Sequence, residues 1–501
     1  MMRVTNALVR ASRLAPDAPA AIEEERICTW REIADNVSRM AGEFVRRGIE
    51  PGAKVAVLAN NGIPFFMAWF AVPWTGAVIV PLNARLALAE LDFQLRDAQV
   101  SLLLHDADFA AQAEQLLAKG SVAQIMAMDG AFDACEPLAE YEGEGALAGI
   151  FYTGGTTGLP KGVMLSHSNL TAMAMNLLAH MDFQSGDVLF HAAPMFHLAD
   201  IGTLFGTMAC GVHVFRKILD PAAMIEDFAA HGVTHCFTVP VMIERLTTEA
   251  AARDLNLSGL QYLGYGGSPM AAASLDKARA QFPSVKFIQG YGQTEFPAAT
   301  FLSPEDHGPD ADPALLRSCG RACYGYDIRI LDEAGNEVPR GTVGEIVGRG
   351  DNMMMGYLER SEETAETLKN GWIYTRDAGW MNDDGYIFIT DRLKDMIVTG
   401  AENVYSIEVE NALSYHPAII ESAVIGLPDP KWGERVHAIL VVSAGSPSPA
   451  DQDLREHCRA RIAGYKIPKT FEYRTELLPR SAAGKILKRE LREAKIAEDE
   501  A

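Results

Sequence analysis

Positive charge is in short supply in this chain: 44 Lys and Arg stand against 66 Asp and Glu, a formal net charge of −22. Such a field repels polyanions, so nucleic acid is not expected as the principal partner. A small anion is not excluded, because backbone amides, one placed lysine and a divalent cation bind phosphate locally. Cysteine is scarce as well. The seven residues, Cys28, Cys135, Cys210, Cys236, Cys319, Cys323 and Cys458, are too scattered for a disulfide framework. Cys319 and Cys323 form a lone C-x3-C without the second pair that a structural metal site needs. This usage fits a reducing, cytoplasmic compartment.

An uninterrupted hydrophobic run is also missing. Residues 1–20 carry Arg3, Arg10 and Arg13 and no sustained apolar stretch, so they do not read as a signal peptide. The segment 55–84 has no charged residue and is long enough by count to span a bilayer. Pro64, Pro73, Gly76 and Pro81, with Asn60 and Asn61, break it into a buried helix near 65–72 and a strand near 77–80. No transmembrane segment is expected, and there is no internal repeat.

What is present is ordinary globular sequence, 48% hydrophobic and 22% charged, too apolar for disorder to dominate. Its 501 residues leave room for about three compact units at roughly 100–200 residues each. Short aliphatic runs at 55–58, 78–80, 101–104, 188–190, 212–215, 235–239 and 286–289 alternate with helical patterns. That alternation predicts an α/β fold, with parallel sheets covered by helices. After about residue 320 the runs 328–331, 344–347 and 386–390 are separated by turn pairs such as Ala334-Gly335 and Asp384-Gly385, which predict antiparallel strands. Beyond Asp391 a helix at 407–414, strands at 423–426 and 437–442, and an amphipathic stretch at 451–462 predict a small α+β unit. The Glu/Lys-rich end from Lys485 reads as a solvated helix.

Chemistry concentrates first in Phe151-Tyr152-Thr153-Gly154-Gly155-Thr156-Thr157-Gly158-Leu159-Pro160-Lys161-Gly162. Glycines allow close backbone approach, the hydroxyls of Thr153, Thr156 and Thr157 donate, and Lys161 supplies charge, which together suit a polyphosphate. A plain Gly-rich turn accounts for the glycines but not for the threonines among them. The P-loop NTPase pattern does not fit, because Gly162 follows Lys161 where that pattern has Ser or Thr.

With this loop stand, in order, Pro194-Met195-Phe196-His197, Tyr265-Gly266-Gly267-Ser268-Pro269, Tyr291-Gly292-Gln293-Thr294-Glu295, Gly344-Glu345-Ile346, Thr375-Arg376-Asp377, Asp391-Arg392-Leu393-Lys394-Asp395 and the stretch from Pro479 to Lys485. In these motifs nearly the whole chain resembles the adenylate-forming superfamily of acyl-CoA synthetases, firefly luciferases and peptide-synthetase adenylation domains. The resemblance implies ATP, Mg²⁺ and coenzyme A as reactants. It puts Lys485 between the carboxylate and the α-phosphate, where two anions must meet, and Mg²⁺ on Glu295 and Thr294. Taken alone, Lys485 reads better as a solvated-helix lysine, and a helix N-terminal carboxylate is the alternative for Glu295. Asp377 is implied to accept from the ribose hydroxyls with Arg392 nearby, Tyr291 to offer adenine an aromatic face, and Gly267 a close backbone edge. Arg376 departs from the family's usual glycine, which permits backbone angles that arginine disfavours.

Lys394 matches the family's hinge, which divides the chain into an N-terminal domain, 1–393, and a small mobile C-terminal domain, 394–501; a surface linker lysine is the alternative. Gly400 and Ala401 fall in the segment that lines the pantetheine tunnel, with Ala401 where most members have a second glycine. Lys466 and Lys469 are candidates for CoA phosphates or ordinary surface lysines. His197 stands where amino-acid-activating domains carry an aspartate, which disfavours an ammonium substrate, although Asp200 is close by. The acid pocket, drawn from 196–202, 264–267 with Gly266, and 296–299, is apolar and suits a medium-chain or long-chain fatty acid or an aromatic acid. Loading of a carrier protein, or formation of the adenylate alone, is the alternative outcome. A homo-oligomer is left open.

Overall fold

The computed structural model describes every residue except 1, 129–131, 133, 144, 154–159, 254, 256, 269, 393–395, 400–401, 443–447, 481–485 and 501, with backbone alone at 391, 392, 402, 403 and 500. The charge-free segment resolves as the sequence predicts. A strand, Lys54–Leu58, leads to the helix Ile63–Trp74, buried at every position but Pro64, and then to the strand Val78–Pro81. Pro64 sits in the first turn, where a missing N–H costs nothing, and Pro73 in the last. Among the described residues no helix is long and apolar enough to cross a membrane.

These strands belong to a seven-stranded sheet running Gly356–Tyr357, Lys161–Ser166, Leu147–Thr153, Val78–Pro81, Lys54–Leu58, Val100–His105 and Ile125–Ala127. A nine-stranded sheet runs Arg321–Ala322, Phe296–Leu302, Lys286–Gln293, Tyr262–Gly266, His235–Thr238, Val188–His191, Val212–Phe215, Pro19–Glu23 and Arg26–Thr29. Both are parallel at the centre, as the sequence predicts, with antiparallel strands added at both edges of the nine-stranded sheet and at the Gly356–Tyr357 edge of the seven-stranded one. Connection length is the reason. Glu24-Glu25 and Thr294-Glu295 are too short to cross over, so each joins only antiparallel neighbours.

The turn pairs after residue 320 do close an antiparallel sheet of Asp327–Leu331, Gly344–Arg349, Trp372–Met381, Leu368–Lys369 and Ile387–Arg392. Gly335 and Gly385 take φ of 83° and 84°, as tight hairpins require. The last sheet is built from Glu402–Val404, Ile397–Thr399, Gly433–Val442, Ile419–Asp429 and Thr470–Arg474. Val424, Val436, Ala438 and Leu440 face the helices Ser406–Ser414 and Asp451–Arg459. Ala423, Ile425, Leu427, Ile439 and Val441 face the helix Lys488–Glu500 through its Leu491 and Ile496. That terminal helix is therefore docked rather than fully solvated: its sequence is so charged that two apolar side chains are all that mark its buried face.

Candidate active site

A cavity of about 1480 Å³ opens where the carboxyl ends of the nine-stranded sheet meet the small C-terminal unit. Open α/β sheets bind ligands at those ends, because crossover loops leave a crevice there. Thr153, Lys161, Gly267, Tyr291, Thr294, Glu295 and Asp377 all line it, so the described members of the predicted nucleotide set come together. The small unit contributes Glu410, Arg480, Ile486 and Lys488.

Tyr291, near the end of the strand Lys286–Gln293, donates its hydroxyl to Asp377 Oδ2 at 2.7 Å. Burial first, and the Asp377 charge second, push the Tyr291 phenol well above its ordinary range, so it stays a neutral donor. Asp377 is held from behind: its N–H donates to Thr375 Oγ1 at 3.1 Å, Thr375 donates to the Ile346 carbonyl at 2.7 Å, and Gln293 donates to the Thr375 carbonyl at 3.0 Å. Across the strand pair Asp377 registers with Arg392. Arg376 does adopt the left-handed backbone that its missing glycine would supply, at φ 60°. Its N–H donates to Glu345 Oε1 at 2.9 Å and its guanidinium to Glu366 at 3.1 Å, which turn the side chain outward.

Thr294 and Glu295 form the two-residue turn between antiparallel strands, so Glu295 is not a helix N-terminal carboxylate. Gly292 makes the turn feasible, since a Cβ there would meet Ala298 N at 2.6 Å. Glu295 Oε1 accepts from the Tyr357 hydroxyl at 2.8 Å, and Lys161 Nζ stands 5.1 Å from the centre of the same ring. Tyr357 thus joins the cation at the end of the Gly/Thr segment to the carboxylate of the second motif. It belongs to no motif, and nothing in the sequence singles it out. Thr153 pairs with Lys161 in an antiparallel register, so the segment between them connects two strands, unlike the strand-to-helix turn of P-loop NTPases.

Gly267 follows its strand at φ 79° and lines the cavity. Gly266 instead serves strand packing, because a Cβ there would come 2.4 Å from the Gly290 carbonyl oxygen. His197 lines the cavity and also caps the short turn Leu198–Asp200, accepting from Ala199 N at 3.1 Å. Lys466 is gripped by both Glu408 oxygens at 2.6 and 2.7 Å, so a CoA phosphate would have to displace that carboxylate. Cys319 and Cys323 are buried, their thiols donating to the Ile387 and Ala298 carbonyls. No metal-holding cluster of His, Cys, Asp or Glu occurs among the described residues.

Gly154, Gly155, Thr156, Thr157, Lys394, Gly400, Ala401 and Lys485 lie outside the described residues. Arg480 and Ile486, on either side of the Lys485 segment, pair with each other and line the cavity.

Residues 8–358 match the model of the AMP-binding enzymes, and residues 408–485 that of the AMP-binding enzyme C-terminal domain. A feruloyl-CoA synthase of Amycolatopsis sp is 38% identical over 492 residues, 97% of each chain. The amide bond synthetase McbA of Marinactinospora thermotolerans superposes with a TM-score of 0.91 at 29% identity, covering 98% of this chain and 99% of that one. The o-succinylbenzoate CoA synthetase of Bacillus subtilis, solved with its acyl-adenylate intermediate, gives 0.87 at 28% identity over 97% of both chains. The chain belongs to the AMP-binding enzyme family and is an adenylate-forming acyl-CoA ligase.

Proposed function

We propose that this ligase activates an aromatic acid of the hydroxycinnamate type and passes it to coenzyme A. The observation that carries this is that one cavity holds two chemistries. Asp377, Tyr291, Glu295 and Lys161 line it, and so do the aromatic and aliphatic side chains of Phe196, Leu198, Ile201, Phe205, Phe237 and Phe301. Flat rings pack well against aromatic walls. The feruloyl-CoA synthase relative supports the same choice. A fatty acid fits such a wall less specifically.

In the first step a carboxylate oxygen bonds to the α-phosphorus of ATP and the bond to pyrophosphate breaks, leaving the acyl-adenylate. Lys485 offsets the charge that gathers as two anions meet. Asp377 and Tyr291 orient the nucleotide by its ribose and base, and Lys161 with the threonine hydroxyls takes the phosphates. Glu295 suits Mg²⁺, which binds one or two carboxylates with substrate phosphates rather than an all-protein cage; bound there, the ion neutralises phosphate charge. In the second step the CoA sulfur bonds to the acyl carbon and AMP leaves. The small unit, hinged at Lys394, moves between the steps, because a site arranged for two anions to meet must be rearranged before a thiol can attack. We place the enzyme in the cytoplasm, where its seven unpaired thiols stay reduced.

The test is a comparison of kcat/KM over 4-hydroxycinnamate, decanoate and phenylalanine, each with CoA, a primary amine or a carrier protein as acceptor. The aryl acid with CoA should give the highest value. Preference for decanoate rejects the aromatic pocket, and turnover faster with the amine or the carrier protein rejects CoA as the acceptor.

A further inference from the structure

Beside the apolar part of the cavity runs a row of buried polar side chains to which no motif gives a role. Asp200, on the turn Leu198–Asp200, places both carboxyl oxygens 2.8–2.9 Å from His191 Nδ1. His191 Nε2 meets His213 Nδ1 at 2.9 Å, and His213 Nε2 meets Thr207 Oγ1 at 3.2 Å. Thr207 in turn donates to the Thr203 carbonyl at 2.7 Å. All four side chains are buried.

The last bond fixes the protons along the row. Thr207 has one hydroxyl proton and gives it to Thr203, so toward His213 it accepts, and His213 Nε2 carries hydrogen. A neutral His213 then has a bare Nδ1, which accepts from His191 Nε2–H. One further proton is left for Asp200 and His191 to share, as acid and imidazole or as carboxylate and imidazolium. Either way the pair has no net charge. Burial raises the Asp200 carboxyl well above its ordinary range and pushes His191 down to about 3, which favours acid and imidazole. In both forms the shared proton lies between Asp200 and His191, so toward the cavity Asp200 only accepts.

Asp200 lines the cavity together with Leu189, Leu198, Ile201 and Phe205. Gly202 covers the pair closely: a Cβ there would stand 3.3 Å from His191 Cε1 and 3.7 Å from Asp200 Oδ1. Both Asp200 carboxyl oxygens meet His191, and a carboxyl has lone pairs for more.

We propose that Asp200, neutralised by His191, is the specificity-determining polar contact in the apolar part of the acid pocket and selects acids bearing a neutral hydroxyl. The proposal rests on the aryl-acid pocket of the preceding section. A substrate O–H donates to Asp200, whereas an ammonium or a second carboxylate meets a pair with no counter-charge to offer, inside an apolar wall. A role limited to holding the turn beneath His197 would alter turnover of all acids alike.

The experiment measures kcat/KM for 4-hydroxycinnamate, 4-methoxycinnamate and cinnamate with the wild type, with Asp200→Asn, and with the double variant Asp200→Leu/His191→Phe, whose folding is checked by melting temperature. One hydrogen bond predicts that the wild type favours the hydroxy acid over the other two by about tenfold. Asp200→Asn, which keeps an acceptor, should retain part of that preference, and the double variant, which removes both polar partners, should bring the ratio to unity. A wild-type ratio of unity overturns the proposal without any variant, and so does a folded double variant that keeps the tenfold preference. If the wild type releases pyrophosphate with none of the three acids, the aryl-acid pocket itself is wrong; equal turnover of all three removes only the role of Asp200.

Discussion

Arg376 stands where the resembling enzymes carry glycine, and it takes glycine's conformation, with φ 60°. An L-residue pays for that geometry in steric strain, and the exposed Arg376–Glu366 pair, at 54% and 65% side-chain exposure, returns little in water. Arg376→Gly should therefore raise stability by roughly 0.5–1 kcal/mol, read from the denaturant midpoint. A loss of stability would mean that the contacts to Glu345 and Glu366 outweigh the strain. Part of the candidate site was legible at this scale because motifs are local: Tyr291, Glu295, Gly267 and Asp377 each sit inside a short recognisable string, and all four line the cavity. Tyr357 was not, since 62 residues separate it from the carboxylate it bonds. Asp200 was noticed only for its closeness to His197. Its partners His191 and His213 come from strands that pair only in the folded sheet, so no spacing in the sequence announces them.

Among the elements, the terminal helix Lys488–Glu500 gives the sharpest contrast between sequence and structure. Composition makes it look solvated, yet Leu491 is 3% exposed against the last sheet. Leu491→Ala should cost about 2–4 kcal/mol of stability in the small unit, the range for a buried leucine that leaves a cavity. Limited proteolysis and the melting curve would register it. A change below about 0.5 kcal/mol, the range of ordinary surface substitutions, would return the helix to solvent. Strand positions were read well where aliphatic runs are dense, as at Val100–His105 and Val212–Phe215. The edge strands Arg26–Thr29 and Arg321–Ala322 escaped because they are short and polar on one side, and neighbours rather than propensity hold them in the sheet.

For the whole molecule, buried histidines tie stability to pH. Burial holds His167 and His307 at about 4, against an ordinary 6.5. Both stay neutral in the folded chain and take up a proton in the unfolded chain below pH 6.5, so unfolding consumes protons between about pH 6.5 and 4. Stability falls as the pH drops through that window. The melting temperature should decline from pH 7 to pH 5, before most carboxylates titrate; a flat profile would mean that these rings are already protonated or solvent-exposed when folded.

The central claim is that the cavity makes an acyl-adenylate and hands it to a thiol. It is tested most directly by supplying ATP, Mg²⁺ and 4-hydroxycinnamate with hydroxylamine in place of CoA, and following the products of the wild type and of Lys485→Ala. The wild type should release pyrophosphate and AMP in step with acyl-hydroxamate, and added CoA should divert the acyl group to the thioester. Lys485→Ala should lose adenylate formation by orders of magnitude while still transferring the acyl group of a supplied adenylate to CoA. Release of ADP and phosphate instead, or the absence of acid-dependent pyrophosphate across fatty, aromatic and amino acids while ATP still binds, would contradict the claim.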